Sequence, residues 1–196
     1  MRIGVLAIQG SVIEHKRVLQ KLGVEVIEVR LPEDLSGLDG IILPGGESTT
    51  QSKLLRRFKL FDELKKQIKS GLPVWGTCTG AILLAKKVIG KNAPETFKAM
   101  DIVANRNAYG GQIDSFEADL EIRKQDSGFS NFKGVFIRAP KLDVMSDKVE
   151  ILCEHEDSPV MLRQKNMLAT AFHPELTDDA QIHEYFINYI VIKNKN

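Results

Sequence analysis

One cysteine of this chain stands where its thiol could act as a nucleophile. Cys78 lies within residues 73–80, with an apolar strand pattern before it and an apolar helix pattern after it. The flanking glycines, Gly76 and Gly80, are typical of a nucleophile elbow, here with sulfur in place of a serine hydroxyl. A buried structural cysteine is the alternative for any single thiol. Cys153, in an apolar run without such a setting, is interpreted as a core residue.

A histidine and a carboxylate far along the chain could complete a reactive site with this thiol. His173 follows an apolar strand pattern, and Pro174 stiffens the chain after it. Glu175 could accept a hydrogen bond from the imidazole and so fix its tautomer. A cysteine, a histidine and an acid are the components of thiol-based acyl transfer, whereas the alternative is a solvated histidine in a surface loop. The remaining histidines lack a similar partner and are interpreted as surface or helix residues: His15, His155 and His183.

A second glycine-rich segment, residues 44–48, reads Pro-Gly-Gly-Glu-Ser and could be a plain turn or a backbone oxyanion hole. A tetrahedral intermediate needs N–H donors that are already oriented, and glycines let the main chain approach a substrate closely. A phosphate-binding loop is not favoured, because the sequence contains no GxxxxGK[ST] pattern.

The composition argues against several classes of partner and site. The 196 residues carry 27 Lys and Arg against 26 Asp and Glu, which gives no support for nucleic acid or an anionic membrane as a partner. Two cysteines make neither a disulfide framework nor a metal-ligand set. No apolar run reaches the roughly 18 residues of a membrane span, and the sequence enters a strand without a secretion leader. We therefore expect a cytoplasmic protein, in which a free thiolate survives.

The elements that must position these residues alternate between strand and helix in the first half of the chain. Such alternation predicts a mainly parallel sheet with helices on both faces, and ligands bind beyond the carboxyl ends of its strands. The glycine turns at 10, 45–46 and 76–80 all fall at that edge. The predicted strands are 3–8, 24–29, 40–43 and 74–75, and the predicted helices are 12–22, 50–70 and the segment beginning at 81–86.

The second half of the chain is richer in short strand patterns, which we interpret as an antiparallel extension with the His173 loop at its end. A final amphipathic helix is predicted over 178–192. No repeat or linker interrupts the sequence, so residues 1–196 are predicted to form a single three-layer α/β domain. The predicted strands here are 101–106, 116–122, 135–138, 149–155, 160–164 and 167–171.

At these residues the chain resembles the class I, or triad, glutamine amidotransferases, which have a flavodoxin-like fold. More narrowly, it is similar to the glutaminase subunits of glutamine-dependent pyridoxal 5′-phosphate synthases. The Gly-x-Cys-x-Gly and His-Pro-Glu motifs mark only the superfamily, and the Gly-Gly-Glu-Ser, Arg-Asn, Ile-Arg-Ala-Pro and Pro-Glu-Leu-Thr motifs are more specific. The resemblance runs almost end to end and is carried by residues 4–10, 14–15, 43–50, 76–78, 105–107, 114–116, 136–140 and 172–177.

The resemblance implies a role for each of these site residues. Cys78 would attack the side-chain amide of glutamine, giving a γ-glutamyl thioester and ammonia, and water would then release glutamate. His173 would shuttle protons, and Glu175 would orient it. The implied glutamine-binding residues are Gly46, Glu47, Ser48, Arg106, Ile137 and Arg138. The residues assigned to the oxyanion hole are Gly45, Gly46 and Thr79.

The resemblance also implies a partner. A separate synthase subunit, a (β/α)₈ barrel in a large hetero-oligomer, would take up the ammonia and build pyridoxal phosphate from a pentose phosphate and a triose phosphate. Pyridoxal phosphate would thus be the product of the complex, and this chain itself is expected to need no cofactor and no metal. The glutaminase would be weak until docking orders the loop at 45–46 or the turn at 9–10.

Three positions depart from the family habit. Thr79 stands where alanine is usual, Ala81 where methionine is common, and Gly111 where an arginine often lies. Because none belongs to the predicted triad, these departures bear on rate and partner contacts more than on the reaction. Three other functions stay open: a glutaminase serving another acceptor synthase, a free-standing thiol hydrolase, and a binding module with a vestigial triad.

Overall fold

The computed structural model describes residues 1–106, 115–122 and 131–193. The motif residues at 107 and 114, and the departure at Gly111, lie outside the described residues. The strands are β1 Arg2–Leu6, β2 Glu25–Val29, β3 Gly40–Leu43, β4 Val74–Thr77, β5 Ala85–Ile89, β6 Met100–Asn105, β7 Ser115–Leu120, β8 Phe132–Ile137, β9 Lys141–Val144, β10 Glu150–His155, β11 Ser158–Gln164 and β12 Met167–Thr170. The α-helices are α1 Val12–Lys21, α2 Ser48–Arg57, α3 Leu60–Lys69, α4 Thr79–Leu84 and α5 Gln181–Tyr185. Single 3₁₀ turns occupy Pro32–Leu35 and Pro174–Leu176, and a π-helical segment, Phe186–Ile192, follows α5.

A seven-stranded sheet in the order β10-β11-β12-β4-β3-β1-β2 forms the centre of the molecule. Five neighbouring strands, from β12 to β2, are parallel, whereas β11 and β10 run antiparallel at one edge. The parallel part has the flavodoxin-like order of strands. Every residue of β3 is buried, as expected for a parallel strand between two layers of helices. The predicted α/β architecture with a mainly parallel sheet is confirmed.

Helices cover both faces of this sheet, as the side chains of β4 demonstrate. Trp75 lies edge-on to His15 of α1, with ring centroids 5.5 Å apart, and to His183 of α5, with centroids 4.8 Å apart. Its neighbour Gly76 faces the other way, because successive residues of a strand alternate between faces. A Cβ added to Gly76 would collide with the backbone of Gly80 in α4. The helices α1 and α5 therefore lie on one face, and α4 lies on the other.

The second half of the chain departs from the prediction of one antiparallel extension. Only β10 and β11 extend the main sheet in that way, and β12 joins it in parallel with β4. The strands β7 and β8 pair with each other alone, and β5, β6 and β9 form a separate small sheet. The strands β5 and β9 were not predicted. β5 follows α4 without a turn signal, and its alternating pattern is weak because two of its five residues are exposed lysines.

The predicted helix over 50–70 is wrong as a single element. Lys59 has a left-handed backbone, with φ of 59°, and separates α2 from α3. A left-handed residue interrupts the ladder of helical hydrogen bonds. Each helix buries one face at helical spacing, mostly polar in α2 and apolar in α3, so the spacing alone does not reveal the break between them. The segment 81–86 was predicted to begin a helix, but α4 spans Thr79–Leu84 and residues 85–86 belong to β5. The predicted helix 178–192 is α5 followed by the π-helical segment.

Buried apolar side chains from Ile3 to Val191 form one hydrophobic cluster between the sheet and its helices. Cys153 is completely buried within it, which confirms its interpretation as a core residue. That residues 1–196 form a single domain stays a prediction. Across the described ranges, no helix is both long enough and apolar enough to cross a membrane.

Candidate active site

Cys78 sits on a sharp turn between β4 and α4. Its backbone has φ of 49° and ψ of −101°, a left-handed conformation that costs free energy for a residue with a Cβ. Two hydrogen bonds hold this turn: the Cys78 N–H donates to the Thr170 carbonyl oxygen at 2.7 Å, and the Ile82 N–H donates to the Cys78 carbonyl oxygen at 3.3 Å. The backbone therefore has the strand-turn-helix form of a nucleophile elbow.

The glycine after the elbow allows α4 to pack directly on the sheet. A Cβ added to Gly80 would collide with the carbonyl oxygen of Leu43 in β3. Any side chain at this position would push the first turn of α4 away from the strands and move Cys78 with it. The Gly-x-Cys-x-Gly spacing thus has a steric cause in this structure.

His173 and Glu175 lie beside the thiol. The His173 Nδ1 is 2.8 Å from the Glu175 Oε1, and Cys78 hydrogen-bonds to the same imidazole. The His173 N–H donates to the Val135 carbonyl oxygen at 2.8 Å, which ties the histidine loop to β8. The Cys78 Sγ lies 3.9 Å from the carbonyl oxygen of Ile137 at the end of the same strand. The structure thus brings together a thiol, an imidazole and a carboxylate that are almost 100 residues apart in sequence.

The imidazole of His173 is held in its charged form. Burial acts to lower the pKa of His173, but the hydrogen bonds and charges of Cys78 and Glu175 outweigh burial and raise that pKa to about 10. Burial likewise acts to raise the pKa of Glu175, and the neighbouring His15 and His173 bring it below its usual value. The site therefore keeps a proton on His173 and a negative charge on Glu175 near neutral pH.

The interpretation of His15 and His183 as residues without a partner is wrong. Both are completely buried, and the His15 Nδ1 lies 2.9 Å from the His183 Nε2. On its other side, the His15 Nε2 lies 3.3 Å from the Thr77 Oγ1 and 3.5 Å from the Glu175 Oε2. Each histidine looked isolated because its partners are distant in sequence. His155 is half-buried and stacks on an aromatic ring of β8, away from this group.

A cavity of about 440 Å³ opens over the thiol. Glu175 lies behind His173 and does not line this cavity. The cavity is lined by ten of the predicted site residues: Gly45, Gly46, Glu47, Ser48, Cys78, Thr79, Arg106, Ile137, Arg138 and His173. It is also lined by Gln9, Gly10, Ser11, Ile82 and Leu176. The sequence predicted the turn at 9–10 at this edge of the sheet. It did not predict that Ser11, Ile82 and Leu176 line the cavity, because only their proximity to a motif distinguishes them in the sequence.

The glycine loop after β3 packs against the imidazole of His173. The backbone at Gly45 approaches that ring so closely that a Cβ would collide with it. The Gly45 N–H donates to the Thr77 Oγ1 at 3.0 Å, so in this conformation Gly45 does not supply the oxyanion donor that the sequence predicted. Thr79 is the first residue of α4, so its N–H has no acceptor within the helix. The amides of Thr79 and Gly46 thus remain the candidate donors.

The hydroxyl of Thr79 adds a bond that alanine could not make. Its Oγ1 donates to the Gly46 carbonyl oxygen at 2.5 Å. The Gln9 Oε1 accepts from the Glu47 N–H at 2.9 Å, next along the same loop. The loop is therefore held from the α4 side and from the turn after β1.

Opposite charges meet at the mouth of the cavity. Glu47 caps α2 by accepting hydrogen bonds from the backbone N–H groups of Thr49 and Thr50, at 3.0 and 2.7 Å. Burial acts to raise the pKa of Glu47, but hydrogen bonds from the side chains and backbone of Thr50 and Thr49 outweigh it and lower that pKa to about 2. The Arg106 Nη2 lies 3.5 Å from the Glu47 Oε1, and its Nη1 donates to the Asn92 carbonyl oxygen at 3.0 Å. A fixed carboxylate beside a fixed guanidinium suits the ammonium and carboxylate of an α-amino acid.

Within residues 1–106, 115–122 and 131–193, no group of three or more His, Cys, Asp or Glu side chains is arranged to hold a metal ion.

Comparison with known proteins places this chain among annotated relatives along almost its full length. Residues 5–192 match the SNO glutamine amidotransferase family. The pyridoxal 5′-phosphate synthase subunit PdxT of Thermosipho africanus is 50% identical over 192 residues, which cover 97% of this chain and 99% of that protein. The protein of the same name from Carboxydothermus hydrogenoformans is 53% identical over 190 residues, covering 97% and 98%.

Solved structures give the same fold. A crystal structure of a glutamine amidotransferase matches with a TM-score of 0.87 and 46% identity, covering 94% of this chain and 96% of that one. PurLQS from Thermotoga maritima matches with a TM-score of 0.69 and 18% identity, covering 96% and 98%. The second likeness concerns the fold alone. Together they confirm the predicted fold class.

Proposed function

Because the chain belongs to the SNO glutamine amidotransferase family, we propose that it is the glutaminase subunit of a pyridoxal 5′-phosphate synthase. It hydrolyses L-glutamine to L-glutamate and ammonia and passes the ammonia to a synthase subunit for vitamin B6 biosynthesis. The observation that carries this proposal is a cavity lined by Cys78 and His173, with Glu175 hydrogen-bonded behind His173 and with an amino-acid-like pair of charges at the cavity mouth.

The first half of the reaction acylates the thiol. The Cys78 sulfur, as thiolate beside the His173 imidazolium, attacks the side-chain carbonyl carbon of glutamine. The carbonyl oxygen of the tetrahedral intermediate carries the negative charge. The C–N bond then breaks while His173 gives its proton to the leaving nitrogen, so ammonia departs and a γ-glutamyl thioester remains.

The second half regenerates the thiol. His173, now neutral, takes a proton from a water molecule as the water oxygen attacks the thioester carbonyl carbon. The C–S bond breaks, the thiolate returns beside the imidazolium, and glutamate leaves. Glu175 does not touch the substrate: its hydrogen bond with the His173 Nδ1 stabilises the imidazolium and orients the ring.

The amides of Gly46 and Thr79 would stabilise the oxyanion. Gly45 could join them only if its N–H left the Thr77 Oγ1, which requires a movement of the glycine loop. Docking of the partner could supply the free energy for that movement, so a weak activity of the isolated chain is part of the proposal.

The head group of glutamine would bind at the mouth of the cavity. The Arg106 guanidinium suits the α-carboxylate and the Glu47 carboxylate suits the α-ammonium group, while Ser48, Ile137 and Arg138 line the same cavity. The acceptor partner is proposed to be a (β/α)₈-barrel synthase subunit in a large hetero-oligomer. The chain is proposed to act in the cytoplasm as a single domain and without a cofactor of its own.

The test measures glutamate release from glutamine by the chain mixed with the pyridoxal phosphate synthase subunit. Cys78→Ala is expected to abolish release, because it removes the sulfur that forms the thioester beside His173. Cys153→Ala is the matched control: it removes the other thiol, which is buried in the core, and should retain activity. Glutamate release that persists in Cys78→Ala would refute the mechanism. Co-purification with an unrelated synthase would refute the proposed partner.

A further inference from the structure

Glu175 has a second neighbour that the proposed reaction does not use. Its Oε1 faces His173, while its Oε2 is buried and has no hydrogen-bond partner among the described residues. The nearest polar group recorded beside Oε2 is the Nε2 of His15, at 3.5 Å. His15 is completely buried and does not line the cavity, so it cannot touch the substrate.

The tautomer of His15 follows from its contacts. The His183 Nδ1 is buried and has no hydrogen-bond partner within the described ranges, so a proton there would be an unsatisfied buried donor. The proton of His183 therefore lies on Nε2 and is donated to the His15 Nδ1 at 2.9 Å. His15 must then carry its own proton on Nε2, which points towards the Glu175 Oε2.

Both histidines of this pair are neutral. Burial is the largest influence on each and lowers the pKa of His15 and the pKa of His183 below the usual value. The charged or titratable groups around His15 are Glu175, His173 and Glu14, and their opposing effects do not offset burial. His15 thus acts as a neutral N–H donor, and the partial positive charge of that N–H helps to lower the pKa of Glu175.

The same nitrogen also reaches the glycine loop. The His15 Nε2 lies 3.3 Å from the Thr77 Oγ1, and that oxygen accepts the Gly45 N–H at 3.0 Å. The His15 Nε2–H therefore lies between Glu175 and Thr77, the residue that anchors the candidate oxyanion loop.

We infer that His15 is a positioning residue for the glutaminase reaction. Its Nε2–H fixes the position of the second oxygen of Glu175 relative to the Thr77 anchor, and His183 sets the tautomer of His15. This inference rests on the proposed function. Without His15, the buried Glu175 Oε2 loses the neighbouring N–H at 3.5 Å, so the pKa of Glu175 rises. Since activity needs the ionised carboxylate, the acidic limb of the kcat profile then moves to higher pH.

The test compares His15→Leu, His15→Asn and His15→Gln in the complex with the synthase subunit. A glutamine amide places its N–H near the position of the imidazole Nε2, whereas an asparagine amide reaches only as far as Nδ1. His15→Leu and His15→Asn should lower kcat by roughly 10-fold or more, the effect of removing a polar N–H from beside a buried charged group, with KM within about 2-fold. His15→Gln should recover most of kcat and return the acidic limb to its wild-type pH. His155→Gln serves as the control histidine variant outside the site.

A second readout does not depend on glutamine. The rate of Cys78 alkylation by iodoacetamide, followed against pH in the chain alone, should change in His15→Leu and His15→Asn and recover in His15→Gln. If wild type fails to release glutamate but this pattern holds, the proposed function fails and the positioning role stands. Equal kcat and equal acidic limbs in wild type and His15→Asn would overturn the inference. It would also be overturned if folded His15→Gln were as impaired as His15→Asn, because only packing would then matter. Should His15→Leu fail to fold, the two amide variants decide alone.

Discussion

The two oxygens of Glu175 face two histidines whose environments have opposite effects. In front, His173 lies between the carboxylate and the Cys78 sulfur, and its pKa is raised to about 10 despite burial. Behind, His15 contacts the same carboxylate, but burial lowers its pKa. The decisive difference is the second neighbour of each histidine. For His173 it is the Cys78 thiol, which can carry negative charge, and for His15 it is the neutral His183. Side-chain type alone therefore does not set the charge of a histidine beside an acid.

This asymmetry has a use in the proposed reaction. The reaction needs a transferable proton only on the side of Glu175 that faces the cavity, where His173 lies. A charged His15 would compete with His173 for the carboxylate and weaken the imidazolium beside the thiol. Keeping the rear donor neutral fixes the position of the carboxylate without removing its charge from the catalytic side.

The largest effect is expected from the front histidine. His173→Gln should lower kcat by about 10²- to 10⁴-fold, the range for loss of a general acid and base, because no other described group shares its contact with Cys78. Steady-state glutamate release in the complex measures this loss. The contrast between the His173 side and the His15 side of Glu175 would be refuted if His15→Gln, whose amide keeps an N–H donor, lost as much activity as His173→Gln.

The charge of the front histidine should depend on the thiol. In Cys78→Ala the pKa of His173 should fall from about 10, because the hydrogen bond and charge of Cys78 help to raise it, whereas His15 and His183 should stay neutral. A raised folded-state pKa stabilises the protein fully below the unfolded value of 6.5 and loses that contribution as pH rises through about 10. The alkaline loss of stability should therefore move to lower pH in Cys78→Ala.

Two measurements check this. Histidine resonances followed by NMR between pH 5 and 11 give each pKa, and unfolding by denaturant at several pH values gives the change in stability. Cys153→Ala provides the matched control, because Cys153 is buried in the core and does not line the cavity with His173. An unchanged His173 titration in Cys78→Ala would mean that Glu175 alone holds the proton.

Much of the front side was predictable because its motifs are local. The elbow is encoded within residues 76–80, and His173 and Glu175 are two residues apart. The parallel sheet then brings the two segments together, since β12 pairs with β4. The resemblance to a known family supplied Arg106 and Arg138, which no spacing rule connects with Cys78.

The rear side was not predictable in the same way. His15 and His183 are 168 residues apart, and each lies in an ordinary helical pattern. Their contact depends on how α1 and α5 pack over Trp75, which periodicity does not report. The left-handed Lys59 and the π-helical segment after α5 were missed for a related reason: hydrophobic spacing gives the buried face of a segment and not its local hydrogen bonding.

Thr77 joins the two sides, and its hydroxyl should have a smaller but measurable effect. Thr77→Val keeps the shape of the side chain but leaves the buried Gly45 N–H without its acceptor. The free energy of unfolding should fall by about 1–3 kcal/mol, the cost of an unsatisfied buried donor. Denaturant unfolding measures this, with Thr77→Ser as the control that keeps the hydroxyl. A smaller loss in Thr77→Val than in Thr77→Ser would show that the methyl group matters and the hydrogen bonds do not.

The smallest effect concerns the other carboxylate of the site, which sharpens the contrast with Glu175. Glu47 also has a lowered pKa, about 2, yet its side chain is 50% exposed, and backbone N–H groups of α2 stabilise it instead of histidines. Glu47→Gln keeps an oxygen acceptor but removes the charge, so near neutral pH it should cost less than about 1 kcal/mol, reduced further by added salt.

The pH dependence of this cost separates charge from hydrogen bonding. A lowered folded-state pKa stabilises the protein above the unfolded value of 4.5, and that contribution disappears as pH falls through about 2. The difference in unfolding free energy between wild type and Glu47→Gln should therefore shrink between pH 5 and 2. Glu121→Gln, at an exposed position, is the control variant, and it should not show this change with pH. A difference that stayed constant with pH would mean that Glu47 caps α2 through its geometry alone.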